Sequence, residues 1–159
     1  SETDLSEVNI YSRLKAALLP VRKYGAQNIV MYVSSEVMDF LERSKDFTRS
    51  IATTSPQGID TRVTSLDGVQ IIEVWDDARF KTKFDFTTGF VKASDGKDIN
   101  FLIVAKPAVI AKAKFNSIYL FAPGQHTEGD GYLYQNRLYH DLFVLDTKKD
   151  GVYVSHKSA

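Results

Sequence analysis

The run Ile99-Asn-Phe-Leu-Ile-Val-Ala105 holds a single polar side chain. It is far too short to cross a bilayer, and it reads as a strand covered by protein on both faces. Such a strand must sit inside a sheet, and that sheet must be packed against other elements. The run opens a final third, Ile99 to Ser155, that is rich in strand signals. Lys106-Pro107 and a short Ala/Lys segment lead to a Gly-rich loop, then to a long aromatic strand. The turn Lys148-Lys149-Asp150-Gly151 returns the chain into Val152-Tyr153-Val154-Ser155.

Upstream, Asp4-Leu5-Ser6-Glu7 has the form of a capping box. It predicts a helix over Val8 to Tyr24, with Ile10, Leu14, Ala17, Leu18 and Val21 at helical spacing. Pro20 should end or kink that helix near Leu19, and Gly25 should close it. Asn28 to Val33 alternates as a strand does, with Ile29, Met31 and Val33 on one face. Ser34 or Ser35 then caps a helix over Glu36 to Arg43, with Val37, Phe40 and Leu41 inward.

Residues 44–58 are polar and broken by Pro56 and Gly58, so they read as an irregular connection. Thr61 to Thr64 and Val69 to Trp75 flank Ser65-Leu66-Asp67-Gly68, a hairpin signal built on Asp-Gly. Arg79 to Phe86 alternates once more and reads as a strand; Ser94-Asp95-Gly96-Lys97 is a turn. Pro107 suits the first position of a helix, and Ala108 to Lys114 carries good helix formers. Ile118 to Phe121 reads as a short strand, Gly124 to Gly131 as an exposed loop, and Tyr132 to Leu145 as the longest strand. Large side chains on both faces of that strand point to protein contact on both sides, from the core or a neighbouring subunit.

The 159 residues suit a single domain, residues 1–159, and 43% hydrophobic side chains are enough for a core. Twenty basic and twenty acidic residues cancel, so the basic excess usual in a nucleic-acid binder is absent. With no cysteine, disulfides, thiolate metal sites and a Cys nucleophile are excluded. No apolar run reaches membrane-spanning length. Ser1-Glu-Thr-Asp4 has neither the basic region nor the apolar core of a signal peptide. It also lacks an initiator Met, which processing or excision from a longer chain would explain.

Reactive constellations are sparse. His126, His140 and His156 have no helical metal-pair spacing. His126, Glu128 and Asp130 share the Gly-rich loop, but without the carboxylate pattern of a calcium loop. Asp76-Asp77 could act as an acid–base pair or simply end a strand and start a turn. Neither a nucleophile elbow nor a phosphate loop is present. Arg79, Lys81 and Lys83 beside Phe80, Phe84 and Phe86 invite a single-strand-binding reading, yet alternation puts the two types on opposite faces. No catalytic, cofactor-binding or metal-binding residue is assigned, and no cofactor is expected.

The segments Val8 to Tyr24 and Asn28-Ile-Val-Met-Tyr-Val-Ser-Ser-Glu-Val-Met38 together resemble a recurrent helix–strand–helix of tailed-bacteriophage major capsid proteins. Gly68-Val-Gln-Ile-Ile-Glu-Val74 with Arg79-Phe80, Phe101 to Val109, and His140 to Val144 with Gly151 to Val154 resemble later segments of that family, in the same order. The resemblance implies the Hong Kong ninety-seven-type capsid fold shared with encapsulins, centred on its axial domain. The expected class is α+β: a central mixed sheet flanked by helices, plus β-hairpins and returning peripheral strands.

By that resemblance the chain is expected to be a fragment that lacks the family's N-terminal arm, extended loop and spine helix. The implied role is structural and not enzymatic: a subunit of a phage or prophage head shell around DNA, assembled in the bacterial host cytoplasm. Expected partners are copies of itself in capsomers, with scaffolding or portal proteins as further candidates, and neither a specific nucleic-acid site nor a membrane. Two alternatives stay open. One is a capsid-derived satellite or host accessory protein that engages a phage capsid. The other is a small enzyme or ligand-binding module using Asp76, Asp77 or the His126 loop.

Overall fold

Strand pairing around one apolar row organises the molecule. The computed structural model describes residues 4–46, 63–87, 89–127 and 129–157. Helix α1 (Ile10–Leu18) leads through 3-10 turns at Arg22–Tyr24 and Ala26–Asn28 into strand β1 (Ile29–Ser34) and helix α2 (Ser35–Arg43). Strands β2 (Ser65–Leu66) and β3 (Val69–Val74) follow, then a 3-10 turn at Asp77–Arg79 and the short strands β4 (Phe84–Asp85) and β5 (Val91–Lys92). Next come β6 (Ile99–Ala105), a 3-10 turn at Lys106–Ala108, and the long strands β7 (Val109–Phe121) and β8 (Leu133–Val144). A 3-10 segment at Asp146–Gly151 leads into β9 (Val152–His156).

The central sheet has the order β2-β3-β1-β6-β9. β1 runs parallel to β3 and antiparallel to β6, and β9 is antiparallel to β6, so the sheet is mixed. With helices on the sheet and separate hairpins, the class is α+β, as expected from the sequence. Register aligns Met31 with both Ile71 and Ile103, and Val33 with Phe101. These residues are buried, together with Ile10, Leu14, Leu18 and Val21 of the N-terminal segment and Val37 and Leu41 of α2. Each such side chain contributes about 1.5–3 kcal/mol on burial. The opposite face of β6 is only half-buried at Leu102 and Val104, so this strand is less enclosed than its composition predicts.

Several expectations hold in detail. The α-helix ends at Leu18, just before Pro20. Ser34 is the N-cap of α2, its hydroxyl accepting from the Val37 amide at 3.3 Å. Asp67 and Gly68 form a two-residue hairpin turn with φ of 52° and 77°, the left-handed pair that an Asp-Gly turn supplies.

Other expectations fail, each for a local reason. The capping box at Asp4–Glu7 does not form, and α1 starts only at Ile10. Instead the Asn9 side chain accepts from the Ser6 amide (2.8 Å) and donates to the Asp4 carbonyl (2.6 Å), closing a separate turn. Pro107 opens only the 3-10 turn Lys106–Ala108, and Val109 to Lys114 is strand, not helix: pairing along β8 overrides the helix propensity of its Ala and Lys residues. Arg79 to Phe86 is not a continuous strand. It starts on the last residue of the Asp77–Arg79 3-10 turn and holds one isolated Lys81–Asp98 bridge and the two-residue β4. Here the backbone pairs with the turn at 93–97 through Thr82 to Lys97 (2.9 Å) and Ala93 to Lys83 (3.2 Å). Most of the 44–58 connection, and Thr61, lie outside the described residues.

β9 closes the sheet against the N-terminal segment. The Tyr24 hydroxyl donates to Asp150 Oδ1 at 2.8 Å, and Lys23 pairs with the same carboxylate. A Cβ built on Gly151 would lie 2.6 Å from the Ala108 Cβ and 3.1 Å from the Tyr24 ring. Gly151→Ala should therefore cost about 1–3 kcal/mol by overpacking. Urea unfolding should show a lower midpoint with an unchanged slope, and an unchanged midpoint would contradict this packing.

Asp67 is held by Lys15 and Arg22 across the hairpin turn. The Lys15 hydrogen bond, more than Arg22, keeps its carboxyl below the ordinary carboxylate range. A depressed folded pKa stabilises the protein above the unfolded value of about 3.9, and that contribution disappears as pH falls through the folded value. Asp67→Asn preserves a residue tolerant of the left-handed turn while removing the charge. Its stability deficit should be present at pH 7 and disappear as acidification protonates the Asp67 carboxyl of the parent, below the ordinary carboxylate range. Equal deficits at neutral and acid pH would show that charge is not the cause.

Candidate functional site

The residues singled out for chemistry do not converge. Asp76 follows β3 as the N-cap of the Asp77–Arg79 turn: it accepts from the Ala78 amide at 3.1 Å and pairs with Arg79 Nε at 3.1 Å. Asp77 lines a small polar cleft with Glu36, Lys81, Asp98 and Lys157. His126 lies in the loop joining β7 to β8, its Nε2 2.7 Å from the Gly131 carbonyl oxygen. Glu128 of that loop lies outside the described residues. Among the described residues no group of three or more His, Asp or Glu side chains is arranged to hold a metal ion.

The basic stripe is matched by carboxylates. Lys81 and Lys92 both pair with Asp98, at 3.0 and 2.8 Å, and Lys83 pairs with Asp95 at 2.6 Å. Lys92, then Lys81, hold the Asp98 carboxyl below its ordinary range by hydrogen bonding. The aromatics take a different course from the expected single face. Phe80 is buried, whereas Phe84 stacks on Phe90 with centroids 4.3 Å apart and Phe86 leans on both. Phe86, Phe90 and nearby Trp75 are exposed.

Among the described residues, most of the exposed large hydrophobic side chains lie on the β7–β8 hairpin. Its 12-residue second strand is about 40 Å long at the usual strand rise. Val109 pairs with Val144 at the root and Phe121 with Leu133 at the tip, with one bulge between Ala113 and Phe115. The Leu145 amide donates to the Ala108 carbonyl at 2.9 Å, fixing the root beside β9. Neither face of the ribbon is covered.

Register separates the two faces. One carries the pairs Val109/Val144, Ala111/Leu142, Ala113/His140, Asn116/Leu138, Ile118/Asn136 and Leu120/Tyr134. None of these twelve residues is Asp, Glu, Lys or Arg. Ile118, Leu120, Tyr134, Leu138 and Leu142 are between 51% and 67% exposed. The other face mixes Ile110, Phe115, Tyr119, Tyr139 and Phe143 with Lys112, Asp141 and Arg137. Lys114, the extra residue at the bulge, has no partner in the ladder. Beside it lies an open groove of about 680 Å³, lined by residues that include Lys112, Tyr139, His140, Asp141 and Phe143. The uncharged strip, in which Asn116, Asn136 and His140 interrupt the apolar side chains, is about 40 Å long and two strands wide.

The sequence marks one half of this element, since Tyr132 to Leu145 reads as a two-faced strand. It obscures the other half behind the Ala/Lys segment. Ile118 to Phe121, read as a short strand, is the end of β7; the missed signal is Val109, Ile110 and Phe115, β-branched and aromatic residues within and beside that segment.

No protein-family model matches the chain, and no curated protein matches it. Among solved structures, a chain from Mycobacterium phage Che8 is similar, with a TM-score of 0.58 at 14% sequence identity. The match covers 97% of the present chain and 50% of the phage chain, so the present chain spans about half the length of that neighbour. The likeness is one of fold, to a protein of a bacteriophage.

Proposed function

We propose that the chain is the axial-domain portion of a phage or prophage major capsid protein, a structural subunit that associates with copies of itself to form an icosahedral head shell around DNA. The observation that carries this reading is the fold shared with a phage chain along 97% of the sequence. It agrees with the family resemblance, whose segments fall on α1, β1, α2, β3, β6, β8 and β9 in order. A long ribbon with apolar side chains on both faces also suits a protein that works by contact, because such a surface is stable in water only when covered. On this reading the protein is not an enzyme. It resides in the virion after assembly in the host cytoplasm, where scaffolding or portal proteins are further candidate partners. The separation of Asp76 and Asp77 from the His126 loop gives the enzyme alternative no common site.

Electron microscopy tests the proposal. The open reading frame containing this sequence, expressed in bacteria, should yield closed shells or capsomer-sized rings in the particulate fraction. Protein that stays uniformly small, with no such particles, would overturn the capsid reading.

A further inference from the structure

We propose that residues 81–98 form a flap that opens as a unit while the central sheet stays folded, with Asp98 as its salt-sensitive latch. The flap is a property of the single chain and needs no second copy. The excursion leaves the body after Phe80, which is buried, and returns at Ile99, whose amide donates to the Phe80 carbonyl at 3.0 Å. Between these points Gly96 is the only described residue that is buried. No described side chain from 81 to 98 joins the apolar cluster shared by the helices and the sheet. The aromatic rings pack on one another instead: Phe84 of one leg stacks on Phe90 of the other, and Phe86 leans on both. A segment with no side chain in the core gives up little apolar burial when it opens. Such segments open at a lower free energy than the whole domain.

Polar contacts close the flap. The Thr82 amide donates to the Lys97 carbonyl at 2.9 Å, the Lys97 amide to Thr82 Oγ1 at 2.8 Å, and the Ala93 amide to the Lys83 carbonyl at 3.2 Å. Lys83 pairs with Asp95 at 2.6 Å. Asp98 stands at the neck. Its carboxylate holds Lys81 of the outgoing leg at 3.0 Å and Lys92 of β5 at 2.8 Å. Its carbonyl accepts from the Lys157 amide, just past β9, at 2.8 Å. One residue thus ties the two legs together and the flap to the sheet. The tie is open to water, since Asp98 is 38% and Lys92 42% exposed. Charge interactions reach about 10 Å at about 0.1 M salt and about 3 Å at about 1 M. Raising the ionic strength therefore weakens the latch, whereas the apolar row under the sheet carries no charge to screen.

Amide hydrogen exchange of the 159-residue chain, followed by NMR, reads both units at once. The Thr82, Ala93 and Lys97 amides report the flap, and the amides of β1 report the sheet. Relative to their intrinsic rates, the flap amides should exchange at least about 100-fold faster than those of β1, with a shallower dependence on urea. Going from about 0.1 M to about 1 M sodium chloride should speed the flap amides about threefold to tenfold and leave β1 unchanged. Asp98→Asn should bring the same acceleration at low salt and remove the salt response. Gly96→Ala places a Cβ 2.7 Å from the Lys83 carbonyl oxygen, so it should open the flap by crowding and keep the salt response. Gly151→Ala, which loosens the body, should speed β1 and leave the flap amides as they are.

Flap amides that match β1 in rate and urea slope would overturn the proposal, because the segment would then open only with the whole domain. A parent without a salt response, or a response that survives Asp98→Asn, would overturn the latch. Neither result bears on whether the open reading frame yields shells.

Discussion

The fold depends on the pairing of β1 with β3 on one side and β6 on the other. Met31 lies in register with Ile71 and Ile103, and both helices pack against that row. A slip of one residue would turn Ile29, Met31 and Val33 away from the helices and bring Val30 and Tyr32 inward. The parallel β1–β3 pair also requires a crossover, and α2 begins it directly at Ser34. One hydroxyl thus ends β1 as an element and caps the helix that covers it. The two-stranded ribbon is attached to this assembly, not part of its core.

Attachment is local and tight. The root of the ribbon lies between the Lys106–Ala108 turn and the Asp146–Gly151 segment, where Gly151 leaves room for Ala108 and the Tyr24 ring. Asn100 adds a second constraint. It marks the irregularity in the β6–β9 register, and its buried amide donates to the Ser155 hydroxyl at 3.3 Å. A buried polar pair of this kind favours the native register, because a shifted strand would break it. A rigid base therefore holds a ribbon that lacks a core of its own, a division of labour suited to a module that presents a surface.

The ribbon's two faces differ in what they ask of a partner. The uncharged face offers exposed apolar side chains, among them Ile118, Leu120, Leu138 and Leu142. The mixed face, with Lys112, Arg137 and Asp141 among aromatics, offers polar contacts at the rim of apolar ones. A subunit that meets neighbours on more than one side needs surfaces of both kinds. The aromatic group of Phe84, Phe86 and Phe90 is a third exposed apolar feature, on a separate excursion held by the Lys–Asp98 pairs.

The sequence by itself determined the elements whose pattern is local: the apolar period of α1, the alternation of β1, the Ser34 cap, the Asp67-Gly68 turn and the long aromatic β8. Tertiary structure decided what depends on distant partners. Ala108 to Lys114 has helix-forming residues, but from Val109 onward it becomes strand because β8 supplies a ladder of hydrogen bonds for it. Arg79 to Phe86 alternates like a strand but lacks a neighbour along its whole length, so it breaks into turns. Asp4 to Glu7 carries the pattern of a helix cap, yet Asn9 closes a separate turn there by binding the Ser6 amide and the Asp4 carbonyl. Strands and caps exist by satisfying backbone groups, and only the folded chain shows which partners are within reach.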